Sequence, residues 1–185
     1  MDAALKLAPT TRDVQIEAAL ALAIANDITG AEALADSLNK RFPLDTTIQS
    51  VWLPMIDGQI ALLRKSPSST VEKLQAALPY ELGESVDRIG GSCTCPAYVR
   101  GQAYLEARQG VAAAAEFQKI LDHRGLVRGC PTAALAHLGL GRAYVLQGDS
   151  AKARAAYQDF LTLWKDADAD IPILSAAKSE YAKIR

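Results

Sequence analysis

Residues 140–157 read LGRAYVLQGDSAKARAAY, and the pattern of this stretch is the clearest indication of the fold. Its pattern also occurs 40 residues earlier without a gap, so the chain contains an internal repeat. Each copy holds a glycine and a tyrosine three positions apart, a break, and then an alanine with an aromatic residue four positions later. The matching positions are Gly101-x-Ala103-Tyr104 with Gly141-x-Ala143-Tyr144, Ala113-x-x-x-Phe117-Gln118 with Ala153-x-x-x-Tyr157-Gln158, and Leu121 with Leu161.

The spacing within one copy predicts two antiparallel helices joined by a tight turn. Gly141 and Tyr144 lie on one face of the first helix, where the missing side chain lets a neighbouring helix approach closely. Gly148 can adopt the left-handed conformation that ends a helix, and Asp149 or Ser150 can cap the next one. The second helix presents a stripe toward the first, formed by Ala153, Tyr157 and Leu161.

The pattern Leu140-Gly141-x-x-Tyr144, Gly148-Asp149, Ala153-x-x-x-Tyr157 resembles the tetratricopeptide repeat (TPR). The resemblance implies an all-α fold, a right-handed TPR-like α-α superhelix in which antiparallel helical hairpins stack into a solenoid with a C-terminal capping helix. The best-matching unit is residues 134–167. An earlier unit, residues 94–127, departs from the family pattern because Arg100 replaces an apolar residue and Arg108 replaces a turn glycine.

Two weaker units precede these, and the whole chain, 1–185, is expected to form one repeat domain. Residues 12–45 predict a helix, a break at Asn26-Asp27 and a second helix. Residues 46–80 predict a long helix, a break at 66–69 and a second helix, with Pro54 either kinking the first helix or lying in its first turn. The remaining predictions are a loop at 79–95 and a capping helix at 170–185.

A closer resemblance covers most of the chain. The stretches KRFPLD (40–45), LPYELG (78–83), FQKILDHRG (117–125) and LTLWKDAD (161–168) resemble the C-terminal TPR region of acidobacterial serine/threonine protein kinases. The resemblance implies a bacterial signalling parent with an N-terminal kinase domain. This chain has no phosphate-covering glycine loop and no V-A-I-K, H-R-D or D-F-G motif, so it is expected not to be an enzyme.

Charge and hydropathy exclude two classes of partner. Twenty Lys and Arg residues against twenty-one Asp and Glu residues give a formal net charge of −1, without the clustered basic surplus that nucleic acid requires. The apolar stretches are shorter than the roughly 20 residues of a membrane span, so no membrane insertion is expected. A cytoplasmic location is favoured for the chain as given, and an exported parent stays open.

The histidines and cysteines predict neither a metal nor a cofactor. His123 and His137 are 14 residues apart, and no C-x-x-C or H-x-x-x-H pair accompanies them. A disulfide from Cys93 or Cys95 to Cys130 is one alternative for an exported domain, and three free thiols in the cytoplasm are the other. Placement at a helix N-terminus favours the thiolate and so acts to lower the pKa of a cysteine thiol.

The leading functional hypothesis is a non-catalytic protein–protein interaction scaffold, the partner-docking or sensory region of a signalling kinase. One alternative is a small-molecule-binding or enzymatic helical-repeat domain, which the polar residues Gln59, Gln102, Glu106 and Arg142 support poorly, since they include no nucleophile–base pair. Another alternative is a self-association module that uses the alanine-rich N-terminal helix.

The TPR resemblance implies a binding groove along the first helix of each unit. Chaperone-binding members grip a peptide carboxylate with Lys, Asn and Arg residues, whereas Arg142 is the one cation at these positions here. The expected partner is therefore an apolar or amphipathic protein segment or peptide, oriented by Gln59, Gln102 and Arg142. The alternative is that several groove residues are packed between helices. The implied groove residues are Ile16, Leu20, Trp52, Met55, Gln59, Tyr98, Gln102, Leu105, Leu138, Arg142 and Val145.

Overall fold

Nine α-helices in succession form the framework of the part of the chain that the structure describes. A computed structural model describes residues 11–83, 95–127, 130–168 and 170–184, and its regular structure in these ranges is entirely helical. The all-α prediction is therefore confirmed for the described part of the chain. The helices are α1 Arg12–Ile24, α2 Ile28–Arg41, α3 Leu53–Leu63, α4 Pro67–Lys73, α5 Pro96–Glu106, α6 Gly110–Asp122, α7 Thr132–Gln147, α8 Ser150–Leu163 and α9 Pro172–Ala182, with a π-helix at Ile48–Trp52 and 3-10 helices at Leu74–Ala77 and Arg124–Val127.

Helices α1 to α8 pair into four hairpins that share one turn geometry. In the fourth turn the Gly148 N–H donates to the Val145 carbonyl at 3.1 Å and the Asp149 N–H donates to the Tyr144 carbonyl at 3.0 Å. This is the Schellman motif, with one left-handed residue at the helix end. The same pair of bonds closes the other three turns. The left-handed residues are Asn26 (φ 65°), Lys65 (φ 57°), Arg108 (φ 57°) and Gly148 (φ 75°).

The repeated glycines lie where two helices of a hairpin meet. A Cβ atom built on Gly141 would lie 2.6 Å from Cδ2 of Tyr157, and one built on Gly101 would lie 2.7 Å from the Phe117 ring. Each glycine thus faces the second helix of its own hairpin, as the spacing predicted. Gly139 approaches the Phe117 ring from α7, where its Cβ would lie 2.5 Å away. Phe117 is therefore enclosed by two glycines on two different helices.

Three hydrophobic cores follow one another along the chain. The first joins α1, α2 and α3 and reaches Val99 of α5. The second contains Phe117 and packs α5, α6 and α7 together. The third lies among α7, α8 and α9, where Leu174 of α9 is buried against Phe160 of α8. Since each core shares a helix with the next, burial of apolar surface runs through all four hairpins.

The second hairpin resolves two open points of the sequence. Pro54 is the second residue of α3, but the helical backbone begins before it, because the π-helix Ile48–Trp52 runs directly into α3 and Trp52 has helical angles (φ −74°, ψ −45°). The proline therefore lies just after the change from π-helix to α-helix, and a π-bulge is one of the usual causes of a helix kink. The predicted break at 66–69 is narrower in the structure because Ser66 is the residue before α4 and Pro67 begins it. The capping helix begins at Pro172, inside the predicted range. Of the described helices, none has the length and apolar character needed to cross a bilayer.

Candidate functional site

Three residues of the implied groove lie together where α5 faces α7. Tyr98 and Gln102 are one helical turn apart on α5, and both the Gln102 side chain and the charge of Arg142 on α7 favour the ionised Tyr98 phenol. The Tyr98 ring also packs edge-on against Phe117, with 5.9 Å between ring centroids. Burial raises the pKa of Tyr98, and Arg142 and Gln102 oppose that shift only in part. All three side chains are half-buried, so each keeps a surface that another molecule can reach.

Other groove positions fall into two groups. Trp52, Gln59 and Leu105 are half-buried, and Val145 is exposed. The Trp52 indole Nε1 is buried without a hydrogen-bond acceptor among the described residues. The remaining four side chains are packed between helices, which is the alternative that the sequence left open. These are Ile16, Leu20 and Met55 in the first core and Leu138 in the third.

Arg142 connects α7 to α9, the helix that the sequence predicts as a cap. Its Nε and Nη2 groups donate to the two carboxylate oxygens of Glu180 on α9, both at 2.9 Å, and the Tyr157 hydroxyl donates to Glu180 Oε2 at 2.6 Å. Burial disfavours the ionised carboxylate, yet the bonds from Arg142 and Tyr157 outweigh it, so the pKa of Glu180 lies below its ordinary value. The sequence placed Arg142 correctly on a first helix but missed Glu180, which is 38 residues away.

Acid should weaken the attachment of α9 through Glu180. Because its folded-state pKa is below the ordinary 4.5, ionised Glu180 stabilises the fold above about pH 4.5, and this contribution disappears as the pH falls through the lower folded value. We expect the free energy of unfolding, measured by urea denaturation, to fall less between about pH 6 and pH 3 in Glu180→Gln than in wild type. Ser179→Ala, an exposed neighbour, should retain the wild-type pH dependence, and identical profiles for Glu180→Gln and wild type would contradict the expectation.

A buried ionic network surrounds Arg100 of α5. Its Nη2 donates to Glu81 Oε2 at 2.6 Å and to Glu116 Oε2 at 2.7 Å, while its Nε donates to Glu116 Oε1 at 3.1 Å. Lys119 Nζ donates to Glu81 Oε1 at 2.9 Å and to Glu116 Oε2 at 3.2 Å. Burial lowers the pKa values of Arg100 and Lys119, but the carboxylates more than compensate, and both values are raised. We call Glu81, Arg100, Glu116 and Lys119 the Arg100 network.

The Arg100 network explains a departure from the repeat pattern that the sequence left unexplained. The Arg100 side chain is only 2% exposed, and that of Glu81 is 4% exposed. Two positive and two negative charges balance, as buried charges require. The Nη1 group of Arg100 has no hydrogen-bond acceptor among the described residues. Glu116 and Lys119, three residues apart on α6, were the only signal of this network in the sequence.

The structure agrees with the disulfide alternative for Cys130 and contradicts both the alternative of three free thiols and Cys95 as the disulfide partner. Cys95 is a free thiol and Cys130 is disulfide-bonded, so the predicted Cys95–Cys130 disulfide is not present. Cys93, the other predicted partner of Cys130, lies outside the described residues. Burial raises the pKa of Cys95 to about 11, the reverse of the lowering considered from its place before α5. Desolvation of the thiolate therefore outweighs the favourable field of the helix N-terminus.

Each of the two histidines makes a contact of its own. His123 Nδ1 lies 2.9 Å from the Lys119 carbonyl oxygen, at the end of α6. His137 Nδ1 lies 3.5 Å from Asp159 Oδ2, and burial lowers the pKa of His137. In the described ranges, no three His, Cys, Asp or Glu side chains are grouped so that they could hold a metal ion.

Relatives offer no further guide to the site. No family model, no curated protein and no solved structure matches this chain.

Proposed function

We propose that this chain is a non-catalytic interaction scaffold, a TPR-like array of four hairpins that binds an apolar or amphipathic protein segment along its first helices. By the resemblance given above, it would serve as the partner-docking or sensory region of a bacterial signalling kinase. The single observation that carries the proposal is the grouping of Tyr98, Gln102 and Arg142, all half-buried, on two successive first helices that contact each other. An aromatic ring, an amide and neighbouring apolar side chains are typical of protein-binding surfaces.

The charge state of this surface favours a partner with little charge of its own. Glu180 already neutralises Arg142, and Lys65 at the neighbouring turn pairs with Glu106 at 2.9 Å. A carboxylate from a partner would have to displace an existing ion pair. Hydrogen bonds to Gln59 and Gln102 would remain available to a neutral segment. Contacts with Tyr98 and the half-buried Leu105 would then supply the apolar part of the interface.

The proposal is tested with a displayed library of amphipathic helical peptides selected against the full chain. Arg142 is unsuited to mutation here, because its loss would also release α9. We expect Tyr98→Ala combined with Gln102→Ala to weaken the selected peptides at least tenfold, measured by fluorescence anisotropy, which corresponds to about 1.4 kcal/mol or more. Cooperative thermal unfolding of the double variant confirms that it is folded.

Matched controls lie on the second helices. Val111→Ala on α6 and Gln158→Ala on α8 change exposed residues that are not part of the proposed surface, and both should bind the peptides as wild type does. Peptides that bind equally to the double variant would contradict the proposed surface. A library that yields no binder to the wild-type chain would contradict the interaction function itself.

A further inference from the structure

Residues 78–83 follow the second hairpin and have an inverted pattern of burial. They form consecutive turns after the 3-10 helix Leu74–Ala77. Their large apolar side chains are only partly buried, with Leu78 40%, Tyr80 46% and Leu82 47% exposed. The Glu81 side chain points inward and is almost completely buried. A segment attached by the hydrophobic effect would show the opposite arrangement.

The Glu81 carboxylate ties this segment to the third hairpin. Its two oxygens accept bonds from Arg100 and Lys119, as described for the Arg100 network. The backbone bonds of the segment are local, from the Glu81 N–H to the Ala77 carbonyl at 3.0 Å and from the Gly83 N–H to the Tyr80 carbonyl at 2.9 Å. One ionised side chain therefore provides the polar contacts that hold residues 78–83 against α5 and α6.

The segment borders a small cavity beside the start of α5. Leu82 and Glu81 line one side, and Lys119 and Ile120 of α6 line another. Cys95, Pro96 and Ala97 line the rest, and the cavity has a volume of about 20 Å³, the size of a single water molecule. The lining is apolar apart from the charged edge. The free Cys95 thiol is thus close to the segment that Glu81 holds.

The Glu81 carboxylate can leave the Arg100 network without separating α5 from α6. With Glu81 in place, the Arg100 network contains two cations and two anions. When the Glu81 side chain is withdrawn, Arg100 keeps its two bonds to Glu116, so α5 and α6 remain joined. The apolar side chains of the segment are 40–47% exposed, so they oppose detachment less than fully buried side chains would. Local opening of this kind has a lower free energy than global unfolding.

We propose that residues 78–83 are a strap that opens and closes over the cavity at the N-terminus of α5, with the Glu81 carboxylate as its latch. In the closed state the strap shields the Cys95 thiol and the apolar cavity wall. In the open state both become accessible, and Leu78, Tyr80 and Leu82 move with the strap. This device is independent of the peptide-binding function proposed above.

Alkylation of Cys95 in the native full chain tests the strap. The rate of modification by N-ethylmaleimide is followed by mass spectrometry, with the modified residue assigned from fragment ions. We expect Glu81→Gln to raise the rate for Cys95 at least tenfold, because the latch loses its charge. Glu81→Asp, which keeps the charge on a shorter side chain, should give a smaller increase. Tyr80→Ala, an exposed change in the strap that leaves the latch intact, should react at the wild-type rate.

Hydrogen exchange of the same variants separates strap opening from general unfolding. In Glu81→Gln, the amides of Leu78 and residues 80–83 should exchange faster while those of α8 keep their wild-type rates. Two results would overturn the proposal. One is a wild-type alkylation rate in Glu81→Gln. The other is equal acceleration of exchange in α8, including a variant that fails to fold, since Glu81 would then support the whole protein rather than one strap.

Discussion

Arg100→Met should lower the free energy of unfolding by about 3–5 kcal/mol, because it leaves buried carboxylates without their main cation. Glu81 and Glu116 would face each other with only Lys119, whose side chain is 29% exposed. Methionine fills a similar volume, so the loss is mainly electrostatic rather than a cavity effect. Urea denaturation at neutral pH measures it, provided that the slope with denaturant stays unchanged.

A surface pair provides the matched control for Arg100. Arg64 and Glu32 are 2.8 Å apart, as close as the buried pairs, but their side chains are 54% and 47% exposed. Water and salt screen such a pair, so Arg64→Met should cost less than about 1 kcal/mol. If Arg100→Met costs no more than Arg64→Met, the Arg100 network does not contribute to stability as proposed here.

A compensating variant distinguishes charge imbalance from lost packing. Combining Arg100→Met with Glu116→Gln removes one cation and one anion, and it leaves Glu81 paired with Lys119 at 2.9 Å. We expect the double variant to be more stable than Arg100→Met alone, although it carries one more change. A double variant that is less stable than the single one would show that the loss comes from packing.

Gly141→Val is expected to lower the free energy of unfolding by about 1–3 kcal/mol, because the hairpin interface has no room for a branched side chain. The first added carbon already meets the Tyr157 ring at 2.6 Å. The ring cannot move aside cheaply, since the Tyr157 hydroxyl is bonded to Glu180 and the side chain is buried in the third core. Displacing it would disturb the attachment of α9 as well.

Two glycine variants serve as controls for this overpacking. Gly141→Ala places only the first carbon at the interface and should be destabilising by a smaller amount. At Gly125 an added Cβ meets nothing within 4 Å, so Gly125→Ala should leave the melting temperature near the wild-type value. Equal melting temperatures for Gly141→Val and wild type would contradict the packing of α7 against α8 described here.

Local sequence signals predicted the helical hairpins well. Gly148 adopts the predicted left-handed conformation, and the Asp149 side chain accepts from the Lys152 N–H at 3.0 Å as the predicted cap. Gly141 faces Tyr157 as the four-residue spacing required. Helix caps, helix-ending glycines and the spacing of residues on a helix face depend on positions close together in the sequence, so they can be recognised without knowing the fold. The TPR-like superhelix and its groove stay predictions. Four of the positions assigned to the groove are buried, so the place of a residue in the repeat pattern does not by itself determine whether its side chain is exposed.

The sequence alone thus determined the all-α class, the helical hairpin as the repeating unit and the contact of Gly141 with the second helix of its hairpin. The tertiary structure was needed for the ionic pairings and for the turns that have a residue other than glycine in the left-handed conformation. Lys65 and Arg108 adopt left-handed conformations that their own preferences disfavour, because packing of the flanking helices outweighs a local cost of about 1–2 kcal/mol. Arg100 pairs with Glu81 and Arg142 pairs with Glu180, across 19 and 38 residues. The sequence pattern around a charged residue does not indicate which distant residue it pairs with. The packing of the hairpins brings these groups together.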